Sequence, residues 1–274
     1  MEIAILLATY NSEKYLKTQI NSILDQDHKN FCLFIRDDGS TDSTLLIINE
    51  YLSQFSNIFL LLDTVTQRKS MGSFMWMLEN VKSNYYMFCD HDDYWLPNKI
   101  SLTFEKMLIT ESISPGKPVI IHTDLKVVNT ELQEISSSFW RFSKIRPDLL
   151  SDFNYQSVYN GLTGCTMMIN DSARIVSLPM NSYGTMHDAW IGLKVANLGG
   201  VIDYIPSVTI LYRQHDNNVV GVKEVGTVNY FFNKILRLNE TLRFNRERLK
   251  MVQNIRSFSI FKYLVYKFLY FLKK

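Results

Sequence analysis

Cysteine and net charge are both scarce in this chain of 274 residues. Its three cysteines, Cys32, Cys89 and Cys165, lie far apart without a C-x-x-C pair, so neither a disulfide framework nor a zinc knuckle is indicated. The 29 basic and 27 acidic side chains leave a net charge of +2, too small to draw the chain onto nucleic acid. We therefore expect a protein of a reducing compartment that has no nucleic acid partner.

Long apolar runs and leader-like features are also missing. The N-terminal apolar run Ile3–Ala8 has no basic residues before it and is too short for a signal peptide or a spanning helix. Glycine and proline contribute only 11 and 6 residues against a hydrophobic fraction of 46%, which excludes a disordered or fibrous chain. The sequence predicts a folded protein with a sizeable core that is not secreted.

Short apolar runs without polar alternation begin at residues 3, 31, 58 and 85. Such runs are typical of strands buried on both faces of a parallel sheet, and spacings of 28, 27 and 27 residues leave room for one crossover helix each. Further along, Val119–Thr123 and Gly161–Ile169 are predicted strands and His187–Leu198 a predicted helix. The expected fold is α/β, with a Rossmann-like, mostly parallel sheet flanked by helices.

Polar clusters follow three of these strands, at Thr9–Asn11, Asp37–Asp42 and Asp90–Asp93. The carboxyl ends of parallel strands meet at one edge, where such sheets bind ligands. Neighbouring carboxylates repel, and Mg²⁺ or Mn²⁺ shared with substrate phosphates would compensate them; a solvated turn that caps the next helix is the alternative. With no G-x-G-x-x-G or Walker motif, a metal rather than a glycine-rich loop is expected to hold phosphates.

An ordered set of segments resembles the inverting glycosyltransferases of family 2, which have the GT-A fold, and especially bacterial polysaccharide rhamnosyltransferases. The segments are ATYNSEKYL, DQDHKNF, RDDGSTDST and DHDDYW in the first hundred residues, then MHDAW at 186–190 and LYRQHDNN at 211–218. The chain departs from the family at RKSMGSFMWML, residues 68–78, where an Asn-rich stretch is expected. The segments that would select the donor sugar are therefore the least typical.

The resemblance implies a set of donor-side residues and a Mn²⁺ or Mg²⁺ cofactor. The candidate nucleotide-binding residues are Thr9, Tyr10, Asn11, Asp38, Lys69 and Asp90. Asp92 is the expected direct metal ligand, with Asp90 as the other half of the Asp-x-Asp pair and His215 as a third ligand. A His at a strand end that bonds only to backbone is the alternative for His215.

The resemblance also implies a general base, Asp188 in MHDAW, near the start of a helix. Such a carboxylate would deprotonate the acceptor hydroxyl as that hydroxyl attacks the anomeric carbon. A helix-start Asp stabilised by the helix dipole is the alternative. The other candidate site residues are Asp37, Asp93, His187, Trp190 and Arg213. Of these, Arg213 would neutralise the leaving diphosphate.

The C-terminal segment Phe258–Lys274 is rich in large apolar residues and contains four lysines. As a helix it would reach only about 26 Å, and its interior lysines would be costly in hydrocarbon, so it is not expected to span a bilayer. It would either lie on an anionic membrane surface or pack against the catalytic domain or a partner subunit.

The sequence thus predicts a catalytic domain over residues 1–225, with a nucleotide-binding half at 1–110 and an acceptor-binding half at 111–225, and a helical segment at 226–274. The preferred reaction is transfer of L-rhamnose from dTDP-rhamnose to a lipid-linked or cell-surface polysaccharide acceptor by a peripheral protein on the inner face of the plasma membrane. A UDP-hexose or UDP-N-acetylhexosamine donor is the alternative. A nucleotidyltransferase or phosphohydrolase, and a non-catalytic sugar-nucleotide-binding subunit, are the other classes considered; the oligomeric state stays open.

Overall fold

The computed structural model describes residues 3–215 and 238–273, which form one nine-stranded sheet flanked by helices. The strands are β1 (Ile3–Thr9), β2 (Phe31–Asp37), β3 (Ile58–Leu60), β4 (Tyr85–Asp90), β5 (Tyr94–Trp95), β6 (Val119–Val128), β7 (Glu134–Ser136), β8 (Met167–Asn170) and β9 (Val201–Arg213). The helices are α1 (Leu16–Leu24), α2 (Thr44–Gln54), α3 (Lys69–Asn80), α4 (Lys99–Ile113), α5 (Phe139–Phe142), α6 (Phe153–Val158), α7 (Asp171–Ser177), α8 (His187–Asn197), α9 (Leu238–Ile255) and α10 (Ile260–Lys273).

The sheet has the strand order β3-β2-β1-β4-β8-β6-β9-β5, and β7 pairs with β6. Its first four strands are all parallel, which confirms the βα rhythm read from the sequence. The second half is mixed, because β8 runs antiparallel to both of its neighbours while β6 and β9 pair in parallel. The expected α/β fold of the GT-A type is therefore confirmed.

Two hydrophobic cores, one on each face of the sheet, explain why the strand runs lack polar alternation. Along β1, Ile3, Ile5 and Leu7 face the core under α1, α2 and α4. Ala4 and Leu6 face the opposite core, which α3 and α8 cover. All five side chains are fully buried, so both faces of the strand have to be apolar.

Two predicted elements have different bounds in the structure. The strand expected at Val119–Thr123 continues to Val128 as β6. The strand expected over Gly161–Ile169 begins only at Met167, because Gly164–Thr166 form a 3-10 turn in which a threonine hydroxyl bonds a carbonyl three residues back. The predicted helix at residue 187 is confirmed as α8.

The C-terminal helix α10 packs on α6 through aromatic side chains. Tyr270 stacks on Tyr159 with 4.5 Å between ring centroids, and Tyr266 meets Tyr155 edge-on at 5.4 Å. The opposite face of α10 is exposed. Packing against the catalytic domain therefore describes one face of this helix. Within residues 3–215 and 238–273, no helix is both long and apolar enough to cross a bilayer.

The predicted boundary between residues 225 and 226 lies outside the described residues. The division into a catalytic domain and a helical C-terminal segment therefore stays a prediction, as does the division of the catalytic domain at residue 110.

Candidate active site

The register of the parallel strands brings the three polar clusters to one edge of the sheet. Thr9 at the end of β1 lies beside Asp37 at the end of β2. On the other side of β1, Ala8 lies beside Asp90 at the end of β4. Segments that are about 30 to 80 residues apart in the sequence thus line one edge, where open α/β sheets bind their ligands.

Asp38 is a buried carboxylate that organises the loop leading into α3. It accepts hydrogen bonds from Arg36 Nη1 at 2.7 Å and from the backbone amides of Arg68 at 2.9 Å and Lys69 at 2.8 Å. Arg36 also pairs with Asp63 at 3.0 Å. Lys69 reaches Asp38 through its backbone, while its side chain is exposed at the rim.

Asp37 ties the loops after β1 and β2 together. Its carboxylate accepts hydrogen bonds from Thr9 Oγ1 at 2.9 Å and Ser40 Oγ at 2.6 Å. The Asn11 side-chain oxygen accepts a backbone amide of the second loop at 2.9 Å, and its φ of 47° makes the turn. Tyr10 is 53% exposed, so its ring is available to a ligand. Asp37 and Asn11 shape this edge, whereas Tyr10 faces the space above it.

The acidic cluster is arranged differently from the expected Asp-x-Asp pair. Ligand atoms of Asp90, Asp93 and Cys165 lie within 4.8 Å of one another. Asp92 instead contacts His215, with 2.8 Å between Oδ2 and Nε2. The structure therefore brings Asp92 and His215 together as predicted, and it adds Cys165 from the turn before β8.

The crowded carboxylates have perturbed proton affinities. Burial, together with the negative charges of Asp92 and Asp188, raises the pKa of Asp90 to about 7. Burial and the charges of Asp92 and Asp90 raise the pKa of Asp93 well above its usual range. A cation placed among these groups would reverse both shifts, because it favours the ionised carboxylates.

Lys99 supplies a buried positive charge beneath the cluster. Its ammonium lies 4.8 Å from the centroid of the Trp95 ring and has no hydrogen-bond partner among the described residues. Burial lowers its pKa to about 8, while Cys165, Cys89 and Asp93 oppose that shift. Lys99 thus supplies part of the positive charge that was expected from a metal to offset the repulsion between the carboxylates.

Arg213 fixes the acidic loop in place. Its backbone amide donates to Asp93 Oδ1 at 3.2 Å, and its Nε donates to the Asp92 carbonyl at 2.8 Å. The guanidinium lies 4.4 Å from the centroid of the Tyr15 ring, which stacks on His215 with 5.4 Å between centroids. Tyr15 thereby orients the imidazole that faces Asp92.

The donor set fits a hard divalent cation. Carboxylate oxygens with one imidazole nitrogen are acceptable ligands for Mg²⁺ or Mn²⁺. The buried Asp93 Oδ2 has no hydrogen-bond partner in the described part of the chain, as expected of an atom whose partner is an ion or water. Asp90 and Asp93 of the cluster, together with the contacting pair Asp92 and His215, are the side chains that could hold such an ion.

Asp188 lies in the first turn of α8 and is 7% exposed. Its Oδ1 accepts hydrogen bonds from its neighbour's backbone amide and from Asn160 Nδ2, the latter at 3.1 Å. Its charge acts on Asp90, so the candidate base and the acidic cluster are close enough to interact.

Two candidates beside Asp188 belong to the core. The His187 ring packs against Phe74 and Phe88, with centroids 4.5 and 5.2 Å away, and neither ring nitrogen has a described hydrogen-bond partner. His187 therefore lies in the core beside the candidate base, and a role at the site stays a prediction. Trp190 is 2% exposed and donates its indole N–H to the Ser177 carbonyl at 2.7 Å.

Three residues of the site were missed in the sequence. Cys165 lies inside the predicted strand Gly161–Ile169 and Asn160 directly before it, far from the motifs, and nothing in their own sequence context indicates a role. Lys99 does carry a signal, because it follows the acidic motif within DHDDYWLPNK. A lysine so soon after three aspartates and a histidine indicates that the protein itself could supply a positive charge to the acidic cluster.

A sheet edge with nucleotide-side motifs, an acidic cluster beside them and a separate carboxylate at a helix start define a glycosyltransferase of the GT-A type. Residues 4–173 match the profile of Glycosyl transferase family 2, and the chain belongs to that family. It is an enzyme that uses a nucleotide-sugar donor, which replaces the nucleotidyltransferase, phosphohydrolase and non-catalytic alternatives.

The proteins similar to the chain include a curated rhamnosyl transferase and two solved structures of glycosyltransferases. The dTDP-rhamnosyl transferase RfbG of Shigella flexneri is 27% identical over 230 residues, 78% of this chain and 73% of RfbG. S. aureus TarS in complex with UDP-GlcNAc aligns with a TM-score of 0.58 and 17% identity over 93% of this chain and 71% of TarS. The mannosyltransferase PcManGT of Pyrobaculum calidifontis, in complex with GDP-Man and Mn²⁺, aligns with a TM-score of 0.58 and 13% identity over 92% of this chain and 69% of its own. Both structures share the fold.

Proposed function

We propose that this enzyme transfers L-rhamnose from dTDP-rhamnose, with inversion and with a divalent metal, to a lipid-linked or cell-surface polysaccharide acceptor. The observation that carries the proposal is the pairing of an acidic donor-side cluster with a separate buried carboxylate, Asp188, whose charge acts on Asp90. The relative RfbG is a dTDP-rhamnosyl transferase by name, which supports dTDP-rhamnose as the donor. A UDP-hexose or UDP-N-acetylhexosamine is the second candidate, since TarS is seen with UDP-GlcNAc.

On the donor side, Thr9, Tyr10 and Asp38 are proposed to contact the nucleoside. Asp90, Asp92 and His215 are proposed to hold Mn²⁺ or Mg²⁺. The bound ion would neutralise the diphosphate and ease its departure. Arg213 keeps the acidic loop in the required place through its bonds to Asp92 and Asp93.

On the acceptor side, Asp188 is proposed to take the proton of the acceptor hydroxyl. The hydroxyl oxygen then forms a bond to the anomeric carbon while the bond from that carbon to the diphosphate breaks. Because attack and departure occur on opposite faces in a single displacement, the anomeric configuration inverts. The nucleoside diphosphate carries away the electron pair, and the proton stays on Asp188.

A cavity of about 560 Å³ supports an anionic acceptor. It lies in the proposed acceptor half, 111–225, and its lining includes Trp140, the carboxylate Asp124 and the cations Arg141, Lys144 and Arg146, the last of which pairs with Asp148 at 2.7 Å. The cavity is close to the candidate base. Its lining residue Ile145 packs near Gly161, where an added Cβ would lie 3.1 Å from the Ile145 side chain. Gly161 directly follows Asn160, which contacts Asp188. Phosphates of a lipid-linked glycan would suit these cations.

The exposed face of α10 supports a peripheral position on the inner face of the plasma membrane. Its large side chains Phe261, Phe268 and Phe271 are 74%, 61% and 65% exposed. Lys262 and Lys273 are exposed beside them. Aromatic side chains flanked by lysines are typical of helices that lie in an anionic interface.

Calorimetric titration with dTDP-, UDP- and GDP-sugars, each with and without Mn²⁺, tests the donor and the metal. We expect dTDP-rhamnose to bind tightest and only with metal. Asp92→Asn should abolish the tightening by metal, whereas Asp188→Asn, the matched control, should keep it. Equal affinity with and without metal in the unmodified enzyme would contradict the metal assignment, and preference for a UDP-sugar would move the donor to the second candidate.

A further inference from the structure

We propose that Arg248 and Asn160 are positioning residues for Asp188, so that α9 of the C-terminal segment takes part in catalysis. The inference rests on the proposed role of Asp188 as general base. It assigns a catalytic contribution to a part of the chain that lies beyond residues 4–173, the region matched by the family profile.

Arg248 joins α9 to the end of α6. It is 2% exposed, and its guanidinium donates from Nε to the Ser157 carbonyl at 3.0 Å and from Nη2 to the Gln156 carbonyl. Both carbonyls belong to the last turn of α6, where helix carbonyls lack partners within the helix. A buried cation at this end therefore caps α6 and interacts favourably with its dipole.

Asn160 links the end of α6 to the candidate base Asp188. It lies two residues after the end of α6, and its Nδ2 donates to Asp188 Oδ1 at 3.1 Å. Its side-chain oxygen accepts the Leu162 amide at 3.3 Å, which fixes the direction of the amide group. With its oxygen held, Asn160 presents an N–H to the carboxylate and orients it.

Arg248 also supplies charge. Burial lowers its pKa to about 10, and Tyr263, Asp188 and Tyr159 oppose that shift. Of these three groups Asp188 is the one carboxylate. Among the described residues no ion pair within 4.0 Å joins Arg248 to a carboxylate, so Asp188 acts on the guanidinium from farther away than a salt bridge.

Steady-state transfer kinetics and donor titrations test the inference on four full-length variants. Asn160→Ala and Arg248→Met should each lower kcat by about tenfold or more, the usual effect of losing a hydrogen bond or charge at a reacting carboxylate, with donor affinity unchanged. Arg248→Lys should recover part of the loss because it keeps the charge. Arg256→Met is the matched control: this exposed arginine lies 5.6 Å from the Phe153 ring centroid of α6, and its loss should leave kcat unchanged.

The outcomes separate this inference from the proposed function. Normal kcat in both Asn160→Ala and Arg248→Met, with Asp188→Asn inactive, would overturn the inference and leave the base in place. An active Asp188→Asn would instead overturn the base assignment. Adding Asn160→Ala to Asp188→Asn should cause no further loss, since a positioning residue acts only through its partner. If Arg248→Met does not fold, Asn160→Ala and Arg248→Lys still decide.

Discussion

The exposed face of α10 gives a prediction for membrane binding that does not disturb the fold. Phe261, Leu264 and Phe268 are 74%, 58% and 61% exposed, while Tyr263 and Tyr270 on the other face are 3% and 4% exposed. Replacing the three exposed residues by serine leaves the packed face intact. Deleting 258–274 would instead uncover α6, so substitution is the cleaner perturbation.

The magnitude follows from the exposed fractions. Full burial of such a side chain contributes about 1.5 to 3 kcal/mol, so the exposed parts of the three side chains offer about 3 to 6 kcal/mol in total. Insertion into an interface is incomplete, and the lower end, about 3 kcal/mol, is the appropriate figure. The triple variant should therefore bind vesicles about 10²-fold more weakly.

Sedimentation with vesicles of equal parts phosphatidylglycerol and phosphatidylcholine measures this change. The matched control removes equally exposed apolar residues from the opposite face of the sheet, namely Leu46, Ile109 and Ile113 on α2 and α4, and should leave binding unchanged. Added salt should weaken binding of the unmodified enzyme only in part, because the apolar contribution is not screened. Equal loss in both triple variants, or no vesicle binding by the unmodified enzyme, would refute the membrane assignment.

The remaining predictions concern the base and two buried sites. Asp188→Asn should lower transfer by about 10²-fold or more with donor affinity retained, as measured by transfer kinetics and calorimetry. His122 is fully buried, and burial lowers its pKa to about 3. The neutral imidazole therefore stabilises the fold fully above the pKa of about 6.5 that it has in the unfolded chain, and this part of the unfolding free energy is lost as the pH falls toward 3. At pH 5 the loss of unfolding free energy is about 2 kcal/mol. His122→Leu should abolish this part of the pH dependence measured by urea unfolding, and an unchanged pH dependence would contradict the prediction. Gly164→Ala would place a Cβ 2.3 Å from His187 Nε2 and should cost about 1 to 3 kcal/mol of unfolding free energy, with near-normal stability as the contrary result.

The parallel half of the sheet could be predicted because its information is local. Runs such as Ile3–Ala8 are apolar at every position, and burial on both faces allows nothing else. β9 gives no such signal: Val201–Arg213 mixes apolar with polar residues, contains Pro206 and is largely half-exposed. Its place is determined by pairing with β6 and β5, which is information held in distant segments.

The site divides in the same way. Asp90, Asp92 and Asp188 belong to motifs that follow or begin an element, so their approximate places could be predicted. Lys99, which supplies a positive charge, and Asn160, which hydrogen-bonds to Asp188, reach these carboxylates through tertiary packing. Patterns in a single sequence do not encode such packing. His187 is a candidate by sequence because it adjoins Asp188, yet it packs in the core, since consecutive residues on a helix point about 100° apart.

The two alternatives for the C-terminal helix turn out to describe its two faces. Tyr263, Tyr266 and Tyr270 share one side at spacings of three and four residues and pack toward α6 and α9, while phenylalanine and leucine occupy the other side. Hydrophobicity alone cannot separate these stripes, because both are apolar or aromatic. The tyrosine hydroxyl does separate them, since it favours a place where it finds a partner, as Tyr263 does with the Asn245 side chain. Given the two proposals made above, α10 would rest on lipid and also packs on α6, the helix that Asn160 follows. A lipid-linked hydroxyl would then meet a base whose positioning residue, Asn160, lies next to the helix on which the membrane-facing α10 packs.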